Sequence, residues 1–296
     1  MLFVSPPEVD ASRLSRLAAR ARSAVLVGRV GGRPAPLVEV AGLLLVILTF
    51  SWIHAAAGKN VAAAATVNAH SLQSIERALH LDIELGANRL LADHAALIMP
   101  AVYYYRLYYI VIIGVLVWVF VRHAESYARV RWTLVVMALL VLPVFWALPM
   151  SPPRLAQPGI VDIIAEYDIL GGGQATRDVN SGRNLFSAMP SMHVGWSLWC
   201  GYAGWFALRG SHPRLALLPW AFPLGMAVVV LITGNHYVLD IAGSVALLVV
   251  SIVVVSALDR LAKRRRTAAG RSREPVPLHP AGNQDVHLGY ENEGGT

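Results

Sequence analysis

HYVLDIAGSVALLVVSIVVVSAL, His236 to Leu258, is 23 residues long and carries one formal charge, on Asp240. An α-helix crosses the roughly 30 Å hydrocarbon core of a bilayer in about 20 apolar residues, so this stretch reads as a membrane span. A carboxylate inside a span is expensive unless it is paired. Side chains four apart share a helix face, which makes His236 the nearest partner for Asp240. A carboxylate holding one ring nitrogen fixes the tautomer and frees the other nitrogen as nucleophile or base. The rival reading is an Asp that caps the helix or pairs with another span.

Five further stretches pass the same length test, at about 37–57, 97–121, 132–149, 190–208 and 215–233. Together they predict an all-α integral membrane bundle of about six transmembrane helices. Composition agrees: 56% of the 296 residues are hydrophobic and 15% charged, with a mean hydropathy of +0.52. Soluble domains carry about 25% charged residues, so an ordinary soluble enzyme is excluded. Cys200 is the single cysteine, which excludes an internal disulfide framework and a multi-thiolate zinc site. The first span follows a leader too long for a signal-peptide n-region and is taken as retained.

The net charge of +7 lies mainly at the ends. With the N-terminus inside, inner segments hold 18 of the 25 Lys and Arg residues, as the positive-inside rule requires. The expected organisation is a basic cytoplasmic tail at 1–36, a six-span domain at 37–258 and a basic, disordered cytoplasmic tail at 259–296. No basic face with interleaved aromatics exists in the middle, so nucleic acid is not an expected partner. Two outer loops are long. The run Ser71 to Leu79 predicts an amphipathic helix lying on the outer membrane surface. The 150–189 loop, with Gly171-Gly172-Gly173, reads as irregular and mobile.

Three polar stretches converge on the outer ends of spans: Ser151-Pro152-Pro153-Arg154, then Asn184 to His193, then Gly234 to Asp240. Pro190 suits the first turn of a helix, where its missing N–H is not needed. Ser191 and the unpaired amides of that helix start then face outward as an anion site, with His193 in the same turn.

The Pro190-Ser191-Met192-His193 motif and the later His236-x-x-x-Asp240 motif, on six spans, resemble the type-2 phosphatidic acid phosphatase superfamily. Ala188 to His193, with Asn184 and Ser151 to Arg154 upstream, is similar to the branch containing inositol phosphorylceramide synthases. The resemblance implies that His236 attacks phosphorus, Asp240 orients it and His193 protonates the leaving oxygen. It also implies that Ser191 and nearby amides cradle the phosphate and that Arg154 is a phosphate ligand. It implies no metal and no other cofactor. The function expected is a membrane-embedded lipid phosphatase or phosphotransferase in the plasma membrane, its site facing outside and both termini cytoplasmic. Its partners are a lipid phosphate in the bilayer and, for a transferase, an alcohol acceptor.

Two departures from the family pattern stand out. Ala147 replaces a lysine seven residues before the first arginine, and Val230 replaces an arginine six before the nucleophilic histidine. Phosphoryl transfer needs its equatorial charge neutralised, and Arg106 and Arg183 are the expected substitutes. Against this enzyme stand a lipid transporter, an inactive lipid-binding relative, and a metal hydrolase using His193, His236 and Asp240 as ligands. A transporter would line a path across the bilayer with polar groups, whereas the inner halves of these spans are almost wholly apolar.

Overall fold

The computed structural model describes residues 33–169 and 183–271. The N-terminal tail through residue 32, Gly171-Gly172-Gly173 and the tail beyond residue 271 lie outside the described residues. The chain divides into two units, 1–256 and 257–296. The described part of the second is the end of the last helix.

The described residues form an all-helical membrane bundle. Helices are α1 Pro36–Ala57, α2 Ala62–Ala78, α3 Glu84–Ala92, α4 Ala95–Arg106, α5 Tyr108–Arg122 and α6 Ala124–Ala147. Two one-turn helices follow, α7 Pro153–Ala156 and α8 Ile163–Glu166, and then α9 Met192–Leu208. A 3-10 segment at Leu215–Trp220 leads into α10 Ala221–Ile232, and α11 runs Val238–Arg271. Four helical segments are long and apolar enough to cross a bilayer, and a fifth span results if α4 and α5 count as one. The remaining expected segment forms α9, whose 17 residues lie at the short end of span length.

Lipid chains are as apolar as leucine, so helices in a bilayer associate through packing and polar contacts rather than through expulsion of water. Both operate here. Trp199, Tyr127, Phe145 and Met137 form a buried core between α6 and α9. The Trp199 indole N–H donates to the Val130 carbonyl at 2.9 Å. By contrast α1 turns Leu44, Leu45, Leu48 and Trp52 outward. It is held at its N-terminal end by Glu39, which accepts from the Tyr127 hydroxyl and from Arg131, each at 2.7 Å.

Several expectations change. The second span breaks at Leu107, and its halves meet at 43°. The amphipathic helix expected at 71–79 is part of α2, but it buries Ala65, Ala69, Leu72, Gln73 and Glu76 while Ile75 and Leu79 stay exposed. Small and polar residues face the bundle because they meet the polar start of α11. The 150–189 loop carries ordered turns, α7 and α8, in its described part. The basic tail at 259–296, expected to be disordered, is helical in its described part, to Arg271. Pro190 lies just outside α9, whose N-cap is Ser191.

Candidate active site

Besides the end of α1, four segments build the site: the 150–154 turn, the 184–193 stretch, the α4–α5 break and the turn before α11. Gly234 makes the last of these possible. Its φ is +69°, and a Cβ there would run into the Ile160 side chain. Only glycine takes this conformation at no steric cost.

The reversal at Gly234 delivers Asn235 and His236 to the start of α11. Asp240 reaches back to accept the Tyr237 N–H at 2.9 Å, the N3-to-N-cap half of a capping box. The same Asp240 oxygen lies 3.1 Å from His236 Nδ1. His236 Nδ1 is also 2.9 Å from the Ala188 carbonyl oxygen. A carbonyl can only accept, so Nδ1 carries the proton and Nε2 keeps its lone pair. Ala188 is fixed in turn, because its N–H donates to the Met150 carbonyl at 3.2 Å.

His193 projects from the first turn of α9. Its ring stacks on Tyr105 at 4.1 Å and contacts Tyr108 at 4.5 Å, and its centroid lies 6.1 Å from that of His236. The break at Leu107 places these tyrosines and Arg106 in the cavity wall. That cavity, about 710 Å³, is lined by both histidines, Arg106, Arg154, Arg183 and Asn235, among others.

Two of these guanidinium groups are held by partners that the sequence motifs do not mark. Arg154 donates to the Asn235 side-chain oxygen at 2.6 Å and pairs with Asp162 at 3.4 Å. Arg106 pairs with Asp168 at 3.1 Å. Asp162 and Asp168 lie in a loop without periodicity, and only the pairing of a semi-buried arginine with an acid hints at them. Val230, where related phosphatases were expected to have arginine, is buried against Tyr108, Val194 and Met226.

Ser191 departs from its expected role. It is fully buried and outside the cavity wall, and its Oγ accepts the Val194 N–H at 3.3 Å as an N-cap. It also ties helix starts together, since its own N–H donates to the Asp240 carbonyl and its carbonyl accepts from Ser244. Asp240 likewise sits behind the cavity, in contact with His236.

Behind Asp240 lie two further buried acids. Glu84 accepts the Val238 N–H at 3.2 Å and Glu76 the Leu239 N–H at 2.7 Å. These are first-turn amides that no helical carbonyl reaches, which explains acids at a buried helix start. Glu76 is pushed up to about 8, first by burial and then by Glu84 and Asp240, against the opposing Leu239 hydrogen bond. The folded protein therefore holds a proton that the unfolded chain releases above the ordinary value of 4.5. Folding stability should fall as pH rises through that window and level off above about 8. Glu76→Gln keeps the acceptor and removes the charge, so its thermal unfolding in detergent should be flatter between pH 5 and 8. A wild-type slope retained in Glu76→Gln refutes this assignment.

Comparison with known families decides the scaffold: the PAP2 superfamily model matches residues 70–254. The chain belongs to the PAP2 superfamily. Membership supports a phosphatase-type lipid phosphoesterase. No curated protein and no solved structure matches the chain. The PAP2 match takes in both histidines, Asp240 and all three cavity arginines. It leaves out α1.

Proposed function

We propose that this PAP2 protein is a lipid phosphatase or phosphotransferase that works through a phosphohistidine on His236. One observation carries the reading: His236, its Nδ1 proton held by Ala188 and Asp240, lines the same cavity as His193, Arg106, Arg154 and Arg183. In the first step Nε2 of His236 attacks phosphorus, and the ester P–O bond breaks as the N–P bond forms. The arginines neutralise charge on the equatorial oxygens. The N–H groups of Met192 and His193, which open α9 and lie beyond the reach of helical carbonyls, add to this. His193 gives a proton to the departing oxygen. In the second step water or an alcohol attacks the phosphohistidine, His193 takes its proton, and the N–P bond breaks. Ser191 acts here by fixing the start of α9 rather than by touching phosphate. Every group in these steps is a side chain or amide of the protein, and no metal is invoked.

The charge distribution supports a multi-pass plasma membrane protein with both termini cytoplasmic and the site outside. The inositol phosphorylceramide synthase-like alternative, transfer to an alcohol acceptor, draws support from the cavity, whose volume of about 710 Å³ far exceeds the needs of a phosphate. The test is incubation of purified protein in liposomes with radiolabelled lipid phosphates, with and without alcohols. Released phosphate or labelled alcohol is expected. Neither product across a panel of phosphomonoesters, diesters and pyrophosphates refutes the proposal.

A further inference from the structure

The first span contributes a wall of the cavity that lies outside the PAP2 match, which begins at residue 70. His54, one turn from the end of α1, faces this cavity although most of α1 faces outward. Its Nε2 lies 3.0 Å from the Ser187 hydroxyl, which also lines the cavity. Docking at this point is specific. The Asn184 amide donates to the His54 carbonyl at 3.0 Å, and a Cβ on Gly58 would lie 2.6 Å from Asn184. The ring of His54 stacks on Phe50 at 5.6 Å and meets the edge of Phe145 at 5.1 Å.

We propose that His54 and Ser187 form a neutral hydroxyl-binding subsite, which receives head-group hydroxyls of a phosphate ester whose phosphorus lies between His193 and His236. This rests on the phosphate reading of the histidine end. Several features select the ligand class. The arginines fix the anionic end of the cavity. The His54 end offers a hydroxyl and an imidazole, which exchange donor and acceptor roles with alcohol groups. The one carboxylate among the described lining residues, Asp168, is paired with Arg106 at 3.1 Å. Phe50 and Phe145 supply flat apolar surface beside these polar groups, a combination that suits a polyol ring. A volume of about 710 Å³ accommodates a ring and a phosphate together.

The subsite is tested by binding, independently of turnover. Affinities of purified protein in detergent are measured for inorganic phosphate, glucose 1-phosphate as the cyclic polyol probe, and phosphocholine as the cationic probe. Wild type should bind glucose 1-phosphate about tenfold or more tightly than the other two, the scale of one or two hydrogen bonds to hydroxyls. His54→Phe keeps the aromatic stack, and Ser187→Ala is a minimal truncation. Each should cut that preference to about twofold or less, with thermal unfolding confirming folded protein. Equal binding of the three probes by wild type, a preference for phosphocholine, or a preference retained in both variants overturns the subsite. Preference without phosphate release from any ester isolates a failure of the enzymatic reading. Release without preference isolates a failure of the subsite.

Discussion

His236→Ala is expected to lower turnover of a lipid phosphate by roughly a thousandfold or more, since the attacking atom is gone and the arginines and amides retain only binding and charge stabilisation. The variant should fold. His236 lines the cavity, and the start of α11 is held independently by Asp240, Glu84 and Glu76 on the amides of Tyr237, Val238 and Leu239. Labelled substrate should leave an acid-labile, alkali-stable phosphoryl group on wild type and none on the variant. Asp240→Asn makes the assignment sharper. Two acceptors surround Nδ1, and the Ala188 carbonyl remains when the carboxylate is neutralised. The tautomer therefore persists, and only the charge that stabilises the developing imidazolium is lost. A drop of about ten- to a hundredfold is expected, well short of that in His236→Ala. Activity in His236→Ala within tenfold of wild type would sink the phosphohistidine mechanism. Equal losses in the two variants would show that Asp240, not Ala188, fixes the tautomer.

The apolar segments were legible because span length and hydropathy are one-dimensional properties of the chain. The two motifs were legible because a helix start and an i, i+4 pair fix geometry over a few residues. What escaped has partners distant in sequence. His54 reads as a lone histidine at the end of an apolar helix until Ser187, 133 residues on, meets it. Asp162 and Asp168 are loop acids until Arg154 and Arg106 reach them. In α2, apolar spacing at Leu72, Ile75 and Leu79 marked one face, but the inward face was chosen by Glu76 and Gln73, which satisfy the Leu239 amide and the Tyr237 hydroxyl. Periodicity reports that a helix has two faces, and hydrogen-bond demand from another helix decided which one is buried. The helical tail to Arg271 follows local propensity, since Leu, Ala, Lys and Arg favour helix even without a core. The outward role given to Ser191 ignored the stronger local claim of an N-cap serine on its own helix.

His193→Ala carries the other large expected effect, and leaving groups expose it. A lipid alkoxide is a poor leaving group, so without a proton donor the first displacement should slow by about 10²–10⁴-fold. A p-nitrophenyl ester expels a stable phenolate and needs no such donor. The variant should form the phosphohistidine from that ester at a rate within about tenfold of wild type. The second step needs His193 as base whichever ester was used, so the intermediate should accumulate. A burst of nitrophenolate, close to one per protein, should precede a slow steady state. The stack on Tyr105 and Tyr108 places His193 beside the reacting centre without a hydrogen bond to its ring from any described residue. Its removal should leave the His236–Ala188–Asp240 contacts in place, and the burst tests this, because a displaced nucleophile could not produce one. A variant equally slow on both esters and showing no burst would make His193 a support for the nucleophile rather than an acid and base.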